Sequence, residues 1–178
     1  LVLGTGGVAI WALQLAKAMG LRVAVVSSDR AKLERAEALG ADLLIDRQRE
    51  PHWAQAVQHA WGGVERVLDV VGPATLAQSI EALRYGGSVA VIGRLSGHAP
   101  VAIDPAALFL AQKRLHGLMV GSRAMTAALA DFIRTEDLRP VIERVYPREG
   151  VGDAFAALQR AQHVGKLVVA LDPARGPR

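Results

Sequence analysis

Short apolar runs alternate with longer stretches of helical periodicity along most of the chain. The apolar runs are Leu1–Leu3, Arg22–Val26, Leu43–Asp46, Val64–Val71, Ser88–Gly93 and Leu115–Val120. Their length and their share of β-branched residues suit strands buried on both faces. Between them, Val8–Met19, Ala31–Leu39, His52–Trp61, Thr75–Arg84 and Pro105–Lys113 carry the spacing of helices. In Ala31–Leu39, Leu33, Ala36 and Leu39 share one face, while Lys32, Glu34, Arg35 and Glu37 fall mostly outside it. Gly20, Gly40 and Gly86 follow the predicted helix ends, where a left-handed residue commonly closes the last turn.

Strands that alternate with helices predict parallel pairing through crossovers, with helices on both faces of one sheet. Six such strands predict an α/β fold, a doubly wound six-stranded parallel sheet of order 3-2-1-4-5-6. After Gly121 the rhythm changes to a helix over Ala124–Arg134, a strand over Val141–Tyr146, a helix over Gly152–Gln162 and a strand over Lys166–Leu171. This predicts a first unit over residues 1–140, a C-terminal β-α-β segment over 141–171 and a frayed tail over 172–178.

Composition narrows the function classes. Hydrophobic residues make up 51% and charged residues 21%, enough apolar surface for a sizeable core. The net charge of +4 is spread along the chain rather than gathered into a basic footprint, which argues against nucleic acid. The absence of cysteine excludes disulfides, thiolate metal sites and a cysteine nucleophile, and suits a reducing cytoplasm. The uncharged stretch Leu1–Ala16 is broken by Gly4, Gly6 and Gly7 and falls short of the roughly 20 residues of a membrane span. No Met opens the chain, and Leu1-Val2-Leu3 meets Gly4 after half a normal strand. This reads as a chain cut inside, or just before, its first strand.

The first turn carries candidate chemistry. Gly4-Thr5-Gly6-Gly7-Val8-Ala9 has the form G-x-G-x-x-A after a strand and at the opening of a helix. Gly4 permits the tight turn, Gly6 lets a pyrophosphate approach the backbone, and Ala9 lets helix and strand pack closely. The helix N-terminus adds free N–H groups and a positive dipole end. Gly4, Thr5, Gly6, Gly7 and Val8 are therefore the candidate pyrophosphate contacts. A site for NAD(H) expects an acidic residue at the tip of the second strand. Ser27 stands there, followed by Ser28, Asp29, Arg30 and Lys32. Hydroxyls with cations close behind favour the 2′-phosphate of NADP(H), with NAD(H) as the alternative. The same residues also suit a helix cap at Ser28 or Asp29 and solvated cations.

Other constellations carry less. His52, His59, His98, His116 and His163 have no metal-type spacing, and Gly93-Arg94-Leu95-Ser96-Gly97 lacks the spacing of a serine nucleophile turn. Trp11, Trp53 and Trp61 lie in predicted helices and read as core or interface residues. No residue of the chain reads as catalytic and none as a metal ligand.

Taken with the glycine turn and the serine tip, the segment from Lys32 to Asp42 resembles the cofactor-binding half of zinc-type alcohol dehydrogenases and quinone oxidoreductases, in the medium-chain dehydrogenase/reductase superfamily. Asp69-Val70-Val71-Gly72, Arg84-Tyr85-Gly86-Gly87-Ser88, Val91-Ile92-Gly93, Gly117–Arg123 and Gly165-Lys166 extend the resemblance in order to about Leu171. It implies an oxidoreductase passing a hydride between NADP(H) or NAD(H) and a small alcohol, carbonyl or conjugated alkene such as a quinone or enone. Val70, Val71, Ile92, Gly93, Leu118 and Val120 would then approach the nicotinamide from the ends of the fourth, fifth and sixth strands. Lys32 and Lys166 would lie near its ribose and phosphates. Zinc, if used, would belong to an N-terminal catalytic domain outside this sequence, on which the segment over 141–171 would pack, and this chain alone would be inactive. A homodimer through the sixth strand, Leu115 to Val120, is also implied. A methyltransferase using S-adenosylmethionine shares the opening, but Leu3 and Ser27 stand where such enzymes usually carry acids. A non-catalytic module binding nucleotide or RNA is the remaining alternative.

Overall fold

The computed structural model describes residues 1–171; the predicted frayed tail over 172–178 lies outside the described residues. Six strands, β1 (Val2–Leu3), β2 (Ala24–Ser27), β3 (Leu43–Asp46), β4 (Val64–Asp69), β5 (Leu83–Val91) and β6 (Arg114–Gly117), form one parallel sheet of order β3-β2-β1-β4-β5-β6. The helices between them are α1 (Gly7–Ala18), α2 (Arg30–Ala38), α3 (Trp53–Trp61), α4 (Leu76–Glu81) and the short α5 (Ala106–Phe109). This is the doubly wound order predicted from the alternation.

The period-2 geometry of strands explains why the apolar runs are nearly continuous. Leu1, Leu3, Ala24 and Val26 pack on one face with Trp53, Val57 and Ile80 from α3 and α4. Their neighbours Val2, Val23 and Val25 turn to the other face and pack with Ile10, Leu13 and Leu33 from α1 and α2. Gly20 at φ 72° and Gly40 at φ 95° follow α1 and α2 in left-handed conformation, as the sequence predicts.

Several boundaries differ from the sequence reading, each for a visible reason. The strand predicted over Val64–Val71 stops at Asp69, because the Asp69 carboxylate takes the N–H groups of Val71 and Gly72 out of the ladder, both at 2.9 Å. The helix predicted to run to Arg84 stops at Glu81, where Gln58 Nε2 donates to the carbonyl of Glu81 at 2.8 Å. Strand β5 therefore starts at Leu83, and Gly86 closes no helix. It lies in the irregular stretch where the β4–β5 register shifts. The helix predicted over Pro105–Lys113 shrinks to one turn, and Gln112 reverses the chain at φ 50°. The sixth strand ends at Gly117 rather than Val120: β5 offers its last carbonyl, Val91, to the N–H of Leu118 at 2.9 Å.

After β6 come α6 (Arg123–Thr135), β7 (Ile142–Pro147), a 3-10 turn (Arg148–Gly150), α7 (Val151–Arg160) and β8 (Lys166–Ala170). Strands β7 and β8 pair in parallel as a separate two-stranded sheet. This C-terminal unit docks on the α1–α2 side of the main sheet. Val164, 1% exposed, joins the core of Val2, Ile10 and Leu33. Arg35 pairs with Glu143, and Gln14 Nε2 donates to the carbonyl of Arg139 at 2.8 Å. The outer face of α7, with Val151, Phe155 and Leu158, remains exposed. Among the described residues no helix is long and apolar enough to cross a membrane.

Candidate functional site

Parallel pairing brings the carboxyl ends of β1, β2, β4, β5 and β6 to one edge of the sheet. The loops leaving β1 and β4 diverge there, at the point where strand order reverses. Gly4 takes φ 78°, a left-handed value that turns the chain sharply out of β1, and its N–H donates to the carbonyl of Val26 at 2.7 Å. Gly6 is the N-cap of α1 at φ −75° and ψ −175°. No side chain caps the helix and no acidic residue sits in its first turn. Its first N–H groups thus lack intrahelical partners. A Cβ built on Gly6 meets nothing within 4 Å, so the backbone here borders open space. Thr5 is buried, and Val8 points outward.

The C-terminal unit reaches into this turn. Gly6 and Gly165 form an isolated parallel bridge, and the N–H of Gly165 donates to the carbonyl of Thr5 at 2.9 Å. A Cβ on Gly7 would press on the Lys166 side chain, 2.8 Å from its Cδ, so that lysine lies across the start of α1. A cleft of about 300 Å³ runs beside it, lined among others by Gly7, Phe155, Leu158, His163 and Lys166. A larger cleft of about 620 Å³, lined by Leu1, Arg22, Trp61 and Arg84, lies at the opposite edge of the sheet and holds none of the predicted site residues.

The loops after β4 and β5 are stitched together. Asp69, fully buried, accepts from Thr75 Oγ1 at 2.9 Å and Ser79 Oγ at 2.7 Å besides its two backbone partners. Ser96 Oγ donates to the carbonyl of Val71 at 2.9 Å and accepts from the N–H of Ala74 at 3.0 Å. A Cβ on Gly93 would stand 2.6 Å from the carbonyl oxygen of Val70, so this close crossing requires glycine. Val70, Val71, Ile92 and Gly93 come together at these two loops, each partly exposed. Leu118 and Val120 lie past the end of β6, 54% and 88% exposed.

At the second-strand tip, Ser27 is buried and Ser28 is partly exposed. Asp29 caps α2, accepting from the N–H of Lys32 at 3.2 Å, as one of the two sequence readings has it. Lys32 Nζ donates to the carbonyl of Ala161 in the C-terminal unit. Sequence reasoning missed Arg47, whose Nη2 lies 3.5 Å from Ser28 Oγ. The strand order holds the signal, since the residue after the third strand must emerge beside the tip of the second.

His163 was also missed. Its Nδ1 is buried without a partner. Burial, with the Lys32 ammonium adding to it, pushes the imidazole below its ordinary 6.5, while Glu143 opposes the shift. Hydrogen bonding from Arg35 holds the Glu143 carboxyl below its usual range. For His163 the unfolded chain takes up its proton first as pH falls, so stability is full above about 6.5 and is lost below it. Glu143 contributes only above the ordinary carboxylate range and is lost on deeper acidification. A melting temperature that drops as the pH falls below about 6.5 is expected, and His163→Gln should flatten that slope. Equal slopes in melts of the two proteins would show that His163 is not the group responsible.

Among the described residues no three His, Asp or Glu side chains gather as a metal site. The profile for zinc-binding dehydrogenases matches residues 7–135. A zinc-type alcohol dehydrogenase-like protein of Schizosaccharomyces pombe is 36% identical over 177 residues, covering 97% of this chain and 51% of that protein. The crystal structure of an NAD-dependent alcohol dehydrogenase superposes with a TM-score of 0.86 at 29% identity, over 96% of this chain and 50% of that one. A 2-octenoyl-CoA carboxylase reductase in complex with NADP and 2-octenoyl-CoA gives a TM-score of 0.89 at 25% identity, over 98% and 44%. The chain thus spans about half the length of the curated relatives it matches.

Proposed function

The chain belongs to the zinc-binding dehydrogenase family of medium-chain dehydrogenases and reductases, and from that premise we propose that it is the NADP(H)-holding half of an oxidoreductase acting on a small alcohol, carbonyl or conjugated alkene. One observation carries the cofactor reading: the uncapped start of α1 at the switch point, with open space over Gly6. A bound nicotinamide dinucleotide supplies the hydride donor or acceptor. The chain's own part is to bind and orient it. Gly4, Thr5, Gly6, Gly7 and Val8 offer N–H groups to the pyrophosphate, and Lys166 adds its charge across Gly7. Val70, Val71, Ile92, Gly93, Leu118 and Val120 border the nicotinamide side. Ser27 and Ser28 face the adenosine ribose, with Lys32 behind them holding the C-terminal unit to α2. Substrate recognition, and zinc if it is used, fall to parts of the enzyme outside these residues. The cysteine-free composition suits a cytoplasmic setting.

NADP(H) is preferred over NAD(H) because a serine stands at the tip and the neighbouring Asp29 carboxylate is engaged as a helix cap. Structural relatives include an NAD-dependent enzyme and one holding NADP, so both forms of the cofactor occur among them. Fluorescence titration with NADPH, NADH and S-adenosylmethionine tests this directly, and tight binding of the last alone would overturn it. Ser27→Asp should shift preference toward NADH by about 1–3 kcal/mol, since its carboxylate repels a 2′-phosphate and accepts from ribose hydroxyls. An unmoved ratio of the two dissociation constants would remove Ser27 from the ribose.

A homodimer through β6 belongs to the same proposal. The strand is an edge, its neighbours Leu118, Met119 and Val120 are exposed, and no residue of α6 is buried. Sedimentation should give a dimer for the wild type and a monomer for Met119→Pro, with circular dichroism confirming the fold. A monomeric wild type at high concentration would refute the interface.

A further inference from the structure

Sequence reasoning looks to Arg30 and Lys32 for the positive charge at the second-strand tip. In the folded chain both are engaged elsewhere: Arg30 Nε donates to Glu34 at 3.1 Å along α2, and Lys32 Nζ donates to the carbonyl of Ala161. We propose that Arg47, from the neighbouring strand end, is the residue that reads the 2′-phosphate and so sets the choice between NADP(H) and NAD(H). The inference rests on the NADP(H) reading above.

Strand order and register bring Arg47 there. Strands β2 and β3 pair in parallel with Ser27 opposite Asp46, so the next residue of each, Ser28 and Arg47, leaves the sheet at the same corner. The Arg47 N–H donates to the carbonyl of Ser27 at 2.9 Å, which fixes its backbone one bond from the tip. Its guanidinium stays exposed, and Nη2 approaches Ser28 Oγ at 3.5 Å, a long contact that leaves the remaining N–H groups of the fork available. The carboxylates of this corner are already engaged. Asp29 caps α2, and Asp46 accepts from the N–H of Gln48 at 3.0 Å with Arg49 3.7 Å away. The exposed Arg47 guanidinium beside the Ser28 hydroxyl thus faces outward, while the Asp29 and Asp46 carboxylates, still charged, are turned to backbone N–H groups. A phosphate monoester dianion takes both the charge and the planar fork, whereas a neutral ribose hydroxyl gains little from either.

Calorimetric titration with 2′,5′-ADP and 5′-AMP isolates the group in question, because the two probes differ only in the 2′-phosphate. The wild-type chain is expected to bind 2′,5′-ADP at least about tenfold more tightly than 5′-AMP. Arg47→Ala should weaken 2′,5′-ADP by about 10- to 100-fold and leave 5′-AMP within about threefold, while Arg47→Lys, keeping charge without the fork, falls between. Unchanged 2′,5′-ADP affinity in Arg47→Ala, an equal loss for both probes, or an equal loss in Arg30→Ala would overturn the assignment and leave the NADP(H) reading standing. A wild-type chain that binds the two probes equally, or neither, overturns the NADP(H) reading itself and the assignment with it.

Discussion

A Gly6→Val protein is expected to fold and to lose at least about 100-fold in NADPH affinity, close to 3 kcal/mol. The fold should survive because φ −75° and ψ −175° suit a β-branched residue and a Cβ there meets nothing within 4 Å. Replacing glycine at an uncapped helix start costs on the order of 1 kcal/mol or less. Binding should fail because the two added methyl groups occupy the space through which a pyrophosphate must come to reach the N–H groups of α1. Circular dichroism and melting establish the fold, and fluorescence titration reads the affinity. A well-folded Gly6→Val protein that binds NADPH normally would end the dinucleotide reading of this turn.

The second large effect is expected on stability. Asp69→Ala should cost about 4 kcal/mol, a sizeable part of the 5–15 kcal/mol typical of a domain. The carboxylate serves two N–H groups and two hydroxyls, all in a site it occupies at 0% exposure. Alanine leaves the Ser79 hydroxyl and the Gly72 N–H buried without this acceptor, leaves Thr75 Oγ1 only its 3.2 Å bond to the carbonyl of Gly72, and opens a cavity besides. Asp69→Asn keeps the volume but turns a donor toward Ser79 or Thr75, and about half the loss is expected. Thr75→Val, which removes one donor and leaves the carboxylate three others, should cost about 1 kcal/mol. Urea denaturation of the three variants gives the order. An Asp69→Ala protein within 1 kcal/mol of wild type would show that the network is not what holds the loop after β4.

Much of this architecture was legible in the order of residues because it depends on alternation alone. Leu1, Val2 and Leu3 turn to alternate faces of a sheet covered on both sides, and the alternation of strands with helices gives the crossovers that order the strands. What escaped depends on side chains that compete with the backbone for hydrogen bonds. Asp69 lies inside the apolar run Val64–Val71, yet its carboxylate stops the strand two residues before that run ends. Gln58, inside a helix, decides where a different helix ends. The glycine turn was readable because each glycine answers a local steric demand. The company it keeps was not: Arg47 and His163 reach the site from β3 and from beyond α7, by pairings that no spacing records. The cations next in sequence to the serine tip were the natural candidates, and Glu34 and the carbonyl of Ala161 claim them.

The bridge between Gly6 and Gly165 joins residues about 160 positions apart, so the turn after β1 is completed by a segment made much later. A ribosome that has released β1 and α1 has produced the glycine turn with one wall absent and, with Val164 not yet in place, part of the α1–α2 core open to water. Pairings of such long reach are closed late, after the entropy of a large loop has been overcome. Until then the nascent chain exposes part of the apolar face of α1 and α2. The turn after β1 gains its second wall only once Gly165 has been made. A nascent chain stalled before Val164 should accordingly be more open to proteases along α1 than the released protein.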